Sequence, residues 1–433
     1  MEEYIKVLLE QIRCRKVHPY IAEELKSHME DQISDNLALG MTGEEAEAAA
    51  VEDMGSPVEA GVALDQIHRP QIAWDLIGVM AAISLAGIII HLFIGGDRQS
   101  VFFLHTVIGF GMMLIVYRID YTMIGKYAKI IGGGILLLCV YGLFRGIIVS
   151  GTVLNVRLLN MQFSLFPFMM LYVPVYGAIL YRYHGSGYGG FGKALLWLVA
   201  PIAIVWHFPN LGLALMMLVS MAAVLTVALC KDWFKISKGL GIAGLWLFII
   251  GLPALGLTCG YVFNWLNSYQ KARLHAFFTH GDVEDYRTNI LRTGIASSRF
   301  MGGDRQTALR AQLAYDSDFI LNYVISGYGF IVGALVCCLL AFLILKVFSV
   351  TFRQKNQLGL AMSCGSSMVL LVNIGMNLLV NLGLLPVTQS FLPFFSVGGS
   401  SIITSYILVG IIMSVYRYKN IYPERVRMKL KTE

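Results

Sequence analysis

After residue 70 the chain runs through ten apolar stretches of membrane-crossing length, and few folds admit that. They lie near 72–94, 101–117, 127–150, 163–181, 193–208, 210–230, 239–263, 319–349, 358–384 and 397–416. About 20 apolar residues span the bilayer hydrocarbon as a helix, and in lipid only helices and closed barrels satisfy their own backbone groups. The chain is 57% hydrophobic and only 14% charged, whereas soluble proteins average about 25% charge. An ordinary soluble domain is excluded. The expected fold is all-α, a polytopic membrane protein with about ten transmembrane helices. The fifth and sixth stretches are divided only by His207-Phe-Pro-Asn210, the weakest boundary.

Charge divides the chain in two. Residues 1–70 hold six Lys/Arg against fifteen Asp/Glu, a net of −9, so the remainder is +15 within an overall +6. Tyr4, Val7, Leu8 and Ile12 recur at helical spacing, as do Ile21, Leu25 and Met29. Thr42 with Glu45 reads as a capping box, and Gly55-Ser-Pro57 as the stop of the helix it opens. An acidic, cytoplasmic helical domain over 1–70 is therefore expected before a transmembrane domain over 71–420 and a cytoplasmic tail over 421–433. The first apolar run begins near Ile72, too late for a secretory signal peptide. Basic residues flank the apolar runs, which suits membrane topology better than a nucleic-acid partner. With the amino terminus inside, Arg118, Lys126, Lys129, Arg182, Lys193, Lys231, Lys235, Lys238, Lys346, Arg353 and Lys355 all fall on the inner side. Arg98 and Arg157 fall on short outer loops, and the long loop 264–318 lies outside. The seven cysteines are scattered and none lies in that loop, so neither a disulfide framework nor a zinc site is expected.

One segment breaks the pattern of regular spans. Gly383-Leu-Leu-Pro-Val-Thr-Gln-Ser-Phe-Leu-Pro-Phe-Phe-Ser-Val-Gly-Gly-Ser-Ser401 cannot continue a helix, and backbone freed at membrane depth must be buried in protein or line a wet cavity. It resembles the C-terminal signature of the SEDS family (the FtsW, RodA and SpoVE proteins), with Asn377, Gly383, Pro386, Pro393, Ser396, Gly398, Gly399, Ser400 and Ser401 in register. Gln389 and Val397 depart from it, standing where the family has Gly and usually Tyr. The beginning of the chain looks like the prefix domain found before some permeases and SEDS proteins, a docking or regulatory module. The resemblance implies ten spans, a bacterial cell-membrane location with both termini cytoplasmic, and one large external loop. It also implies polymerisation of lipid II, the undecaprenyl-linked disaccharide-peptide, beside a penicillin-binding protein, in division, elongation or sporulation.

Acidic residues on the expected outer side are few, and Asp318 stands where the chain re-enters the membrane. A carboxylate there is costly unless it faces a cavity or a cation. The residues alone leave two readings: a catalytic carboxylate, or a helix start capped by Ser317 or Asp316 with Asp318 at the positive helix end. By resemblance, Tyr315-Asp-Ser-Asp-Phe-Ile-Leu321 aligns Asp318 with the family's required aspartate. That residue would deprotonate the attacking sugar hydroxyl, or hold a divalent cation, Mg²⁺ or Mn²⁺. Substrate contacts are expected from Arg273, Arg287, Arg292, Asp316, Ser396, Gly398, Gly399 and Ser400; the arginines suit phosphate oxygens, or are solvated loop charges. His91, His105 and His207, in or beside apolar spans, are expected to make local hydrogen bonds. Some family charges are missing. Leu165 and Phe168 replace a Glu and a Lys, and Ser326 and Gly327 replace paired glutamates. Two other readings follow from these losses and from the broken helix: a non-catalytic scaffold for a penicillin-binding protein, and a lipid-precursor transporter.

Overall fold

In the computed structural model the described residues are 1–425, except 96–97, 150–151, 159–160, 208–210, 267, 269–270, 272–285, 304–315, 386 and 389. Four helices open the chain: α1 (Glu2–Glu10), α2 (His18–Ala38), α3 (Gly43–Asp53) and α4 (Pro57–Ile67). Tyr4, Leu8, Ile12, Ile21 and Met29 are buried among them, as their spacing requires. Thr42 donates its N–H and its hydroxyl to Glu45 Oε2 at 3.1 and 2.8 Å, so the capping box is present. Gly55 then turns the chain, and Ser56 with Pro57 opens α4.

The apolar stretches become α5 (Trp74–Ile94), α6 (Gln99–Arg118), α8 (Ala128–Arg145), α9 (Phe166–Tyr181), α10 (Gly187–His207), α11 (Leu211–Cys230), α12 (Lys238–Val262), α15 (Phe330–Phe352), α16 (Gln357–Asn381) and α17 (Gly399–Arg417). The short α7 (Tyr121–Lys126) lies between the second and third, and α13 (Tyr286–Ala296) and α14 (Ile320–Tyr328) precede α15. Among the described residues eight helices are long and apolar enough to cross a membrane, and α8 and α9 are shorter apolar helices. The protein is a multi-pass membrane protein.

Two stretches differ from the sequence reading. The third and fourth were expected to meet at a short outer loop; instead an antiparallel β1-β2-β3 sheet (Gly146–Val149, Thr152–Leu158, Met161–Ser164) joins α8 to α9. Its β-branched and alternating residues favour strands over another helical turn. The eighth stretch is not one helix. It breaks at Gly329, whose φ of +101° lies where only glycine is comfortable, and α14 ends there before α15 begins.

Polar residues decide which helices are central. In lipid an unpaired serine or asparagine is expensive, so the helix that carries them turns inward. Ser363, Ser366, Ser367, Asn373, Asn377 and Asn381 of α16 are all buried, and 78% of its central window is covered, against 13% for α12. The helices α9, α11 and α17 pack around α16, and α6 lies along α17. Tyr406 of α17 bonds Ser84 of α5 through their hydroxyls at 2.6 Å.

At the other end of α17 the amino-terminal helices grip the carboxy-terminal segment. Asn420 Nδ2 donates to Ile67 O at 3.2 Å, and Gln71 N donates to Arg417 O at 3.0 Å. Buried Asp120, between α6 and α7, accepts from Lys16 Nζ at 2.6 Å, from Thr122 N at 3.0 Å and from the Tyr422 hydroxyl. Tyr422 also meets Tyr20 and Tyr121 edge-on. Burial alone would raise the Asp120 carboxyl, but the hydrogen bonds from Lys16, Tyr422 and Thr122 outweigh it and hold the group below the usual carboxylate range. Burial would lower Lys16; its bond to Asp120 and that residue's charge overcome this and raise it.

Candidate active site

The broken segment between α16 and α17 folds back into the protein. Phe391, Leu392, Phe394, Phe395 and Ser396 are buried. Phe394 has φ of +69°, a conformation that costs a side-chain-bearing residue about 1–3 kcal/mol and persists only where packing enforces it. Its ring lies edge-on to Tyr406 at 5.1 Å. Next to it, Phe395 O is hydrogen-bonded by His91 Nε2 at 2.7 Å, and His91 stacks on Phe102 with centroids 3.8 Å apart.

This loop and the end of α16 take hold of the turn that precedes α14. Three consecutive carbonyls of that turn are occupied. Asp316 O accepts from Val397 N at 2.8 Å. Ser317 O accepts from Ser396 Oγ at 2.6 Å, while Ser396 Oγ accepts from Leu392 N at 2.7 Å. Asp318 O accepts from Asn377 Nδ2 and Asn381 Nδ2, both at 3.0 Å. Asn377 Nδ2 also donates to Ser390 O at 2.9 Å, tying loop to turn. A buried carbonyl left unpaired would cost about 1–3 kcal/mol, so the main chain of 316–318 is firmly placed.

The two carboxylates of the turn are therefore positioned by their backbone. Asp318 is half-buried. Asp316 has its carboxylate 3.6 Å from Arg98 Nη1, with the arginine 65% and the aspartate 13% exposed. The capping reading of this turn is not met: α14 begins at Ile320 with Phe319 in the cap position and no side-chain cap, because the Ser317 carbonyl and the Asp316 main chain are held by the loop.

Five of the expected residues, Asp316, Asp318, Ser396, Gly398 and Gly399, thus converge where α17 begins. Gly399 meets the His105 ring so closely that a Cβ would lie 2.6 Å from its Nε2. Ser400 is exposed on the first turn of α17. Arg292 stands on α13 and donates Nε to Gly383 O at 3.0 Å, beside Leu291, which is buried with Phe319, Val380 and Val387. Arg287 lies on the same helix, and its side chain is outside the described residues, as is all of Arg273. His91 makes the local hydrogen bond expected of it, whereas His105 Nδ1 is buried without a partner among the described residues; the side chain of His207 lies outside the description. No three His, Cys, Asp or Glu side chains among the described residues gather to hold a metal ion. Asp316 and Asp318 supply two carboxylates on one turn.

The sequence model of the FtsW/RodA/SpoVE cell cycle proteins matches residues 71–421. The chain belongs to that family. A peptidoglycan glycosyltransferase MrdB of Helicobacter pylori is 26% identical over 347 residues, covering 75% of this chain and 84% of that protein. A probable peptidoglycan glycosyltransferase FtsW of Enterococcus hirae is 25% identical, covering 83% and 96%. Among solved structures, a chain from a study of how a peptidoglycan synthase complex coordinates polymerisation and crosslinking shares the fold with a TM-score of 0.65 at 22% identity, over 80% of this chain and 99% of that one. The rod shape determining protein RodA of Thermus thermophilus gives 0.59 at 20% identity, over 80% and 97%.

The positions at which the resemblance implies charged residues are apolar or self-satisfied in this protein. Leu165 is buried with Leu138, Leu143 and Ile204. Phe168 is half-buried, Gly327 is buried, and Ser326 Oγ donates back to Asn322 O at 2.8 Å. Arg98, Phe394, Asn322 and Asn381 escaped the sequence reading as site residues. Arg98 offered one signal, as one of two cations on short outer loops. The other three gave none, since their importance arises from contacts across the fold.

Proposed function

We propose that this protein is an inverting glycosyltransferase that polymerises lipid II into peptidoglycan strands. One lipid-linked sugar presents its 4-hydroxyl to the anomeric carbon of another. The new glycosidic bond forms as the bond to undecaprenyl pyrophosphate breaks, and the hydroxyl proton passes to the Asp318 carboxylate, which acts as general base. Arg292, with Arg287 and Arg273 upstream, is of the right type to pair with the pyrophosphate as it departs. The site fits a polar substrate at the outer membrane surface, and both termini lie in the cytoplasm, as the inner-side Lys/Arg bias supports. A transpeptidase of the penicillin-binding class is the expected partner. Residues 1–70 serve as a docking or regulatory domain, 71–420 as the transmembrane domain, and 421–433 as the tail.

The observation that carries this reading is the seizure of the 316–318 main chain by the signature loop and Asn377, which supports it by fixing the backbone from which both carboxylates project. The test compares Asp318→Asn with Asp316→Asn, scoring membrane abundance and polymerisation of labelled lipid II by purified protein, alone and with its transpeptidase. Loss of a general base costs about 10²–10⁴-fold in rate. Full activity of Asp318→Asn at equal abundance would remove the catalytic assignment. One observation favours a second reading, a non-catalytic scaffold: Leu165 sits in an apolar cluster where the family carries a charge. Absence of polymerisation by the wild-type protein with any partner would select it.

A further inference from the structure

Asp318 and Asn322 are four residues apart, the spacing of an intrahelical hydrogen bond, yet the helix does not include Asp318. The amide of Asn381, at the end of α16, stands between the two groups. Its Nδ2 donates to Asp318 O at 3.0 Å, and its Oδ1 accepts from Asn322 N at 3.0 Å. The next pair closes normally, with Tyr323 N donating to Phe319 O at 3.0 Å, so the helix starts one step later than its backbone would allow. Asn322 locks the bridge from the other side, since its own Nδ2 donates to Asn381 O at 2.9 Å and to Leu291 O at 2.8 Å. Asn381 Nδ2 is further oriented by Asn377 O at 2.9 Å. Asn322, Asn377 and Asn381 are all fully buried. An amide is suited to the task because it carries a donor and an acceptor at one end of a short, stiff arm.

We infer that Asn381 is a positioning residue for Asp318: its side-chain amide replaces the backbone bond between residues 318 and 322 and so holds the main chain of Asp318 out of the cap position of α14. The inference rests on the reading of Asp318 as general base, and it concerns a residue that does not itself touch the substrate. Leucine at 381 fills similar space and offers neither hydrogen bond. The 322 N–H is then released to pair with the 318 carbonyl, and Asp318 moves into the cap position of the helix.

The experiment uses the full-length protein with lipid II and its transpeptidase. Asn381→Leu should lower kcat roughly 10–100-fold, the scale of a small misplacement of a reacting group, while KM changes little. In parallel, Asp318→Cys is reacted with an impermeant maleimide, with and without Asn381→Leu; labelling should slow several-fold when the leucine is present. Wild-type kcat together with unchanged labelling would overturn the inference. If Asn381→Leu is not recovered in membranes, Asn381→Asp carries the same comparison, because it keeps the acceptor for Asn322 N and loses the donor to Asp318 O. The two readings fail separately. Full activity of Asp318→Asn would end the general-base assignment, and the labelling result would still decide whether Asn381 holds residue 318 out of the cap position.

Discussion

The two ends of the bundle are fastened by different chemistry. At the end proposed above to be outer, neutral groups do most of the holding: serine hydroxyls, asparagine amides and main-chain carbonyls converge on residues 316–322. At the end proposed to be inner, charge does it: Asp120 gathers Lys16, Thr122 and the Tyr422 hydroxyl, and Asp65 gathers Arg13 N at 3.0 Å and Arg69 Nη2 at 2.8 Å. A neutral network in a low-dielectric setting is strong when complete and insensitive to pH or salt. An ionic one near water responds to both. The outer network therefore reads as a fixed mount for the turn whose Asp318 is proposed as the general base, and the inner one as a contact whose strength solution conditions can change. That contrast suits a regulatory role for residues 1–70.

Removing one hydroxyl should show the outer network at its strongest. Ser396→Val removes the acceptor of the buried Leu392 N, at about 1–3 kcal/mol, and the hydroxyl that holds Ser317 O. Thermal unfolding in detergent should fall clearly and polymerisation should be lost, equally at pH 6 and pH 8. A pH-dependent loss would break the comparison.

A smaller effect is expected at the inner end. Asp120→Asn keeps one acceptor oxygen, enough for Thr122 N, but deletes the charge facing Lys16, whose side chain is 50% exposed. Breaking a buried ion pair costs about 3–5 kcal/mol, and exposure of the lysine reduces this to about 1–2 kcal/mol. Limited proteolysis between residues 60 and 75 should accelerate in the variant, and the difference should shrink in high salt. An unchanged cleavage rate would remove the ionic account of the contact.

The pH dependence of the same contact follows from the signs of the shifts. The Asp120 carboxyl is depressed, so its contribution is complete above the unfolded value of about 3.9 and disappears as pH falls through the lower folded value. Lys16 is raised, so its contribution is complete below about 10.4 and disappears as pH rises through the higher folded value. Hydrogen exchange in residues 1–70 should show a plateau of protection between those limits and loosening on both sides. Loosening at neutral pH would contradict the assignment.

The least effect is expected from Lys346→Ala. Its ammonium lies 3.2 Å from Asp75, but the two side chains are 36% and 79% exposed, and such pairs are worth about 0–1 kcal/mol. A large change in unfolding temperature would show that exposed pairs also fasten the inner end.

Much of the plan was legible before the fold was seen. The apolar stretches gave the helices because in lipid a backbone has almost no other way to satisfy itself, and length alone nearly fixes each span. Tyr4, Leu8 and Ile12, and the Thr42–Glu45 capping box, followed from local periodicity and chemistry. The signature at Ser396, Gly398 and Gly399 pointed to the place where loop and turn meet. Where the reading failed, a non-local contact overrode a local preference. Asp316 and Ser317 are reasonable helix caps in isolation, but their carbonyls were claimed by Val397 and Ser396, residues about eighty positions away.

The sequence by itself determined the order of the apolar segments, the acidic prefix and the family, since each rests on composition, period or motif within one stretch of chain. Only the tertiary structure decided that Asn381 bridges Asp318 to Asn322, that Phe394 is held at positive φ against Tyr406, and that Asp120 joins Lys16 to Tyr422. The hydrogen bonds among them link positions 59 to 302 residues apart. A hydrogen bond forms only between groups brought within about 3 Å. No local pattern announces that approach, which the packing of elements distant in the chain brings about.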